Sequence, residues 1–152
     1  MNPQAAKKYL QTKVMTATAE QLQMMLFDGA IQSCEQARVA LEKKDYERSF
    51  QSLSKAQAIV NQLICALKID VSPDLCKKLK GLYLYAYRRL VDANLRHRVE
   101  SLDEALSVLK YQRETWAMLM QKLGKHKAAA AAAAIDIPAP DARMEASISM
   151  QG

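Results

Sequence analysis

Two histidines, three cysteines and no Cys-x-x-Cys pair leave this 152-residue chain short of the side chains that metal and nucleophilic sites need. His97 stands among arginines and His126 lies in a terminal stretch. No Glu-x-x-His repeat supports a di-iron bundle, and no glycine-rich loop could cradle a phosphate. No enzymatic activity, metal or cofactor is therefore expected. Cys34, Cys65 and Cys76 are odd in number, and each falls inside a helical pattern. A disulfide framework is not expected, and a reducing compartment fits better. Glycine and proline are scarce, at four each, and aromatics make up only 6%. The alternation that marks strands is missing, so the fold class expected is all-α. No apolar run approaches the ~18 residues of a membrane span. The opening MNPQAAKKYLQTK has no apolar core of the kind a secretory signal carries. A cytosolic location without membrane insertion follows as the expectation.

What the chain does have is helix. Hydrophobic residues are 50% and charged residues 25%, a globular balance. Residues 1–17 form an N-terminal segment with Tyr9, Leu10, Val14 and Met15, expected to pack on the body or to form a short helix. Thr18-Ala19-Glu20-Gln21 is a capping box, and the first long helix runs from it to about Lys44. Asp45 caps the second, whose face carries Phe50, Leu53, Ala56, Val60, Leu63, Ile64 and Leu67. Ser72-Pro73 opens a third that reaches about Arg98. Ser101-Leu102-Asp103-Glu104 reads as a second capping box, opening a helix that carries Trp116 and Leu123 and stops at Gly124. Short connections between long helices predict an antiparallel up-down-up-down four-helix bundle over residues 18–124. Residues 125–152 read as a low-complexity, disordered tail, within which the seven consecutive alanines Ala128–Ala134 favour helix and either extend the fourth helix or fray.

The helices carry more apolar surface than one core consumes. The first has a stripe at Leu22, Met25, Leu26, Gly29, Ser33, Ala37 and Ala40, and a second at Met24, Phe27, Ile31 and Cys34. The third has Leu75, Leu79, Leu82, Ala86 and Leu90, and on another side Leu84, Val91 and Leu95. Tyr111 and Met118 add a weaker pair on the fourth. Each second stripe has two readings, a further core face or a groove for a partner helix. Self-association of such stripes would give a weak homodimer; otherwise the chain is a monomer.

Net charge is +6, with the third helix the most basic: Lys77, Lys78, Lys80, Arg88, Arg89, Arg96 and Arg98. A phosphate footprint would use such residues. They spread around the helix without a recognition motif, so a solvated face with ion pairs is preferred to nucleic acid, which remains the runner-up. Asp28 lies among apolar residues, where a carboxylate needs a partner, and Arg88 or Arg89 is the candidate. Gly29 beside it suggests a close helix crossing.

Three segments in order resemble one family. They are VMTATAEQLQMMLFDGAIQ (14–32), LYLYAYRRLVDANLRHRVESLDEAL (82–106) and RETW (113–116). Tyr9 and LEKKDYERS (41–49) fit as well. Together they are similar to the flagellin-specific export chaperone family, FliS. The resemblance implies a helical bundle in the cytosol that binds the C-terminal, polymerising segment of flagellin. It would keep that segment unassembled and help bring it to the export gate. Joined to the surplus stripes, the resemblance makes Leu84, Val91 and Leu95 groove residues, with Val60, Ile64 and Leu67 nearby. Tyr9 and Leu10 would cover the groove when it is empty.

Overall fold

The computed structural model describes residues 2–67 and 72–132, with side chains described as far as Lys122. These residues form α1 (Pro3–Thr16), α2 (Ala19–Glu42), α3 (Tyr46–Cys65), α4 (Pro73–Arg96) and α5 (Val99–Ala132). Helices α2 to α5 form the antiparallel four-helix bundle expected from the sequence. Each packs against its chain neighbour, and α5 closes the ring against α2.

The helix starts show how local chemistry sets the bounds. The Thr18 capping box forms as expected. Its hydroxyl accepts the Gln21 N–H at 3.1 Å, and Gln21 Oε1 accepts the Thr18 N–H at 2.9 Å. Asp45 accepts the Arg48 N–H at 3.3 Å. Ser72 makes no capping bond, and α4 begins on Pro73 alone. The second capping box does not form either. His97 adopts a left-handed conformation, φ 55° and ψ 40°, and turns the chain so sharply that α5 begins at Val99. Ser101 is then inside the helix, buried, and its hydroxyl donates to Asp92 on α4. A left-handed residue other than glycine is strained, by about 1–2 kcal/mol. The His97 ring is stacked on Tyr46 at the start of α3, with centroids 3.9 Å apart and planes 6° from parallel.

The core is continuous through the bundle: Phe27, Cys34, Leu53, Val60, Leu63, Tyr83, Leu90, Leu102 and Leu109 are among its fully buried members. Phe27 and Tyr83 meet as a tilted ring pair at 6.3 Å. On α2 the core axis falls between the two stripes read from the sequence. Buried residues are Gln23, Phe27, Ala30, Cys34, Ala37 and Leu41, while Leu22 and Met24 are half-buried on either side. On α3, Phe50 does not join the core and is 61% exposed. On α4, Leu75 and Leu82 are exposed, and Tyr83 takes the central place instead.

A ladder of polar contacts fixes the register of α2 against α5. Arg38 grips Asp103 with two bonds, at 2.8 and 3.3 Å. Lys110 reaches Glu35 at 3.4 Å, Arg113 reaches Asp28 at 2.6 Å, and Trp116 Nε1 donates to the Glu20 carbonyl at 3.1 Å. Asp28 is thus exposed rather than buried, and its partner comes from α5 instead of from Arg88 or Arg89. The reason is the order of the ring: α2 neighbours α5, and Arg89 is turned to Glu104. Exposed ion pairs contribute little stability, about 0–1 kcal/mol each; they specify which residues face one another.

Gly29 faces α3 at ordinary van der Waals distance, so the close crossing suggested by the sequence is not what the glycine provides. A Cβ there would lie 3.4 Å from the Ile59 Cδ1 of α3. Gly124 does not stop the last helix, which continues through the alanines to Ala132. Alanine's high helix propensity is the local reason. The rest of the expected tail, 133–152, lies outside the described residues.

Candidate functional site: the outer face of α4

Partners identify the sides of α4. Asn94 Nδ2 donates to Gln57 Oε1 of α3 at 3.0 Å, which marks one side. Tyr85 and Arg89 both reach Glu104 of α5, at 3.0 and 3.3 Å, which marks the other. Tyr83, Ala86, Leu90 and Ala93 are buried and mark the core. At about 100° per residue, Gly81, Leu84, Arg88, Val91 and Leu95 fall between the two partner sides, facing away from the core. Leu84 and Val91 are half-buried at the α3 edge, and Leu95 is 78% exposed. Three apolar side chains therefore stand in line on a surface that no helix of the bundle covers.

The apolar surface continues onto α3. Phe50 and Ile64 lie seven residues before and after Gln57, so all three share the α4 side of α3. Ile64 and Leu67 are half-buried and pack against the core edge. Val60 must be corrected: it is fully buried, in one stripe with Leu53, Ala56 and Leu63. It holds the two helices together and has no surface to offer.

Tyr9 and Leu10 also need correction. Both are exposed, no residue of α1 is buried, and the expected cover over the groove is not formed. Tyr9, Leu10, Val14 and Met15 point around the helix instead of forming one stripe, so α1 has no single face to bury. Its C-terminal end meets α2, where Lys13 and Thr16 line a cleft with Met24, Met25 and Asp28.

Two residues of the α4 face were not read from the sequence as functional. Arg88 stands between Leu84 and Val91 and pairs with no carboxylate among the described residues, whereas Arg89 and Arg96 pair with Glu104 and Asp92. Gly81 lies one turn before Leu84 and is exposed. A Cβ at Gly81 would meet nothing within 4 Å. The signal available in the sequence was its bare presence in mid-helix, which costs about 1 kcal/mol relative to alanine.

The described residues hold no group of three or more His, Cys, Asp or Glu that could bind a metal. Burial pushes the Cys34 thiol up to about 12, with Glu35 adding to the shift. Burial likewise pushes the Tyr83 hydroxyl up, against a smaller opposing effect of its hydrogen bond with Gln23. Both are inert core groups at neutral pH. No described helix is long and apolar enough to cross a membrane.

The family described as flagellar protein FliS matches residues 1–123. The chain belongs to the FliS family. It is 33% identical over 126 residues to the flagellar secretion chaperone FliS of Bacillus subtilis, covering 83% of this chain and 92% of that one. Against the Salmonella typhimurium chaperone of the same name, identity is 35% over 118 residues, 77% and 87% of the two chains. Among solved structures, one titled as a flagellar chaperone from bacteria superposes with a TM-score of 0.64 at 20% identity, covering 78% of this chain and 96% of that chain. The fold is therefore the one seen in that chaperone. FliS proteins are chaperones for secretion, not enzymes.

Proposed function

We propose that this chain is a cytosolic export chaperone whose client is the C-terminal, polymerising segment of flagellin. The single observation that carries the reading is the uncovered apolar line Leu84, Val91, Leu95 in a FliS-family bundle. A client segment that is disordered when free can fold as an amphipathic helix against this line and against Phe50 and Ile64 beside it. Ordering the segment costs entropy, and burial of apolar surface on both partners, roughly 25 cal/mol per Å², offsets it. A segment held in this way has no free face for polymerisation, so occupancy alone keeps flagellin unassembled, with no ATP chemistry. The bound pair is then the species that meets the export gate.

Calorimetric titration with the C-terminal segment of flagellin from the same organism tests this. Saturable one-to-one binding with a negative heat-capacity change is the expected result. Val91→Asp should abolish the heat while leaving helicity intact, because Val91 sits at the edge of the core and not within it. Silence from the native chain would end the proposal. Binding that weakens steeply with salt, and is matched by an RNA or DNA oligomer, would favour the nucleic-acid reading instead.

A further inference from the structure

Gly81 has no internal reason to be glycine. Gly29, in α2, lies against Ile59, whereas Gly81 faces open space. No positive φ is found at Gly81 that would require the residue, since the left-handed non-glycine positions are Lys44 and His97, and both lie in turns. A residue that weakens its own helix and relieves no contact within the chain points to a contact outside it.

Its position says what kind of contact. Lys77, Gly81, Leu84, Arg88, Val91 and Leu95, all within α4, recur at alternating spacings of four and three. That is the seam of a helix prepared for a second helix. An extended partner would instead gain affinity from the backbone of a sheet edge, which a helical bundle does not offer. The charges on the seam are of one sign: Lys77 and Arg88, with no acidic residue among the six positions.

We infer that the outer face of α4 receives a helix of the client whose backbone crosses closest at Gly81 and which presents a carboxylate to Arg88. This rests on the client-binding reading above and adds the geometry and charge of the partner to it. Absence of a Cβ at Gly81 lets the two helix axes approach, and the approach seats the client's apolar stripe on Leu84, Val91 and Leu95. Arg88, exposed in the middle of that line, selects acidic helices and rejects basic ones of equal hydrophobicity. Gly81 therefore exchanges stability of the free chaperone for contact with its client.

The test uses the full chain and a peptide of the flagellin C-terminal segment. Gly81→Ala should raise the melting temperature by a few degrees and weaken peptide binding at least fivefold. Gly81→Leu, whose side chain projects into open space and does not disturb the fold, should weaken it at least twentyfold with unchanged helicity. Arg88→Glu should weaken binding at least tenfold, and Arg88→Gln should make the affinity less sensitive to salt. Native affinity in both Gly81 variants, with binding still lost in Val91→Asp, would overturn the close crossing and leave the client reading standing. Binding retained in Val91→Asp as well would remove the client reading from this face. Native affinity in Arg88→Glu would overturn the charge selection.

Discussion

Helices α2 and α4 look alike in sequence and differ in what they do with surplus apolar surface. On α2 each apolar stripe feeds the core: Phe27 and Cys34 from one and Ala37 from the other are fully buried, with Leu22, Met24, Leu26 and Ile31 half-buried and packed against them. On α4 the second line stays outside, ending in Leu95 at 78% exposure. The cause is the breadth of each helix's buried arc. Buried residues on α2 run from Ser33 and Ala40 on one side to Phe27 on the other, enclosing most of both stripes. On α4 the pairs Asn94–Gln57 and Arg89–Glu104 mark the two partner sides, and the second line lies outside them. Apolar periodicity therefore reports the presence of a face; neighbouring helices decide whether that face is interior or free.

The sharpest way to separate the two helices is to truncate one residue on each. Phe27→Ala removes a ring that packs on Tyr83 in the core, and should destabilise by about 3–5 kcal/mol in denaturant unfolding. The acid limb of stability isolates a smaller contribution at the end of α4. The Ser101 hydroxyl, with help from Arg96 and Arg89, holds the Asp92 carboxyl below its ordinary value against the opposing effect of burial. A carboxylate lowered in the folded state contributes stability above its unfolded value, about 3.9, and loses that contribution as pH falls below it. Asp92→Asn should therefore flatten the fall in melting temperature below about pH 4, with little pH-dependent change near neutrality. Leu95→Ala should change stability by no more than about 0.5 kcal/mol and yet reduce peptide affinity, the reverse of Phe27→Ala in kind. Thiol labelling compares the interiors without mutation. Cys65 is exposed while Cys34 and Cys76 are buried, so one thiol should react in the native protein and three in denaturant.

Much of the fold was legible before any coordinates. The Thr18 capping box, the Asp45 cap and the short connections determine three of the bundle's helices and their antiparallel order. Two boundaries were not legible for physical reasons. Ser101-x-x-Glu104 has the composition of a cap, but the left-handed turn at His97 had already started α5, and that turn depends on a ring 51 positions earlier in the chain, Tyr46. Gly124 has the composition of a stop, and the sequence left open whether the alanines beyond it extend the helix or fray; they carry it through to Ala132. The candidate face was half legible. Spacing put Leu84, Val91 and Leu95 on a second side of the helix, and their role as a client groove is the proposal made above; Val60 was misplaced because its stripe and that of Ile64 lie about 40° apart on α3. No sequence pattern separates faces that close.

The ring of contacts among α2, α3, α4 and α5 also bears on how fast the chaperone becomes available. Three of its four helix pairings join chain neighbours, and only α2 against α5 spans the length of the bundle. Helical proteins dominated by such local pairings fold in microseconds to milliseconds. Closure of α5, with Trp116 reaching Glu20 and Arg38 gripping Asp103, is then the single step that must search over distance. Completion of the chaperone is thus a matter of docking its last helix, on a timescale far shorter than the synthesis of any client it must meet.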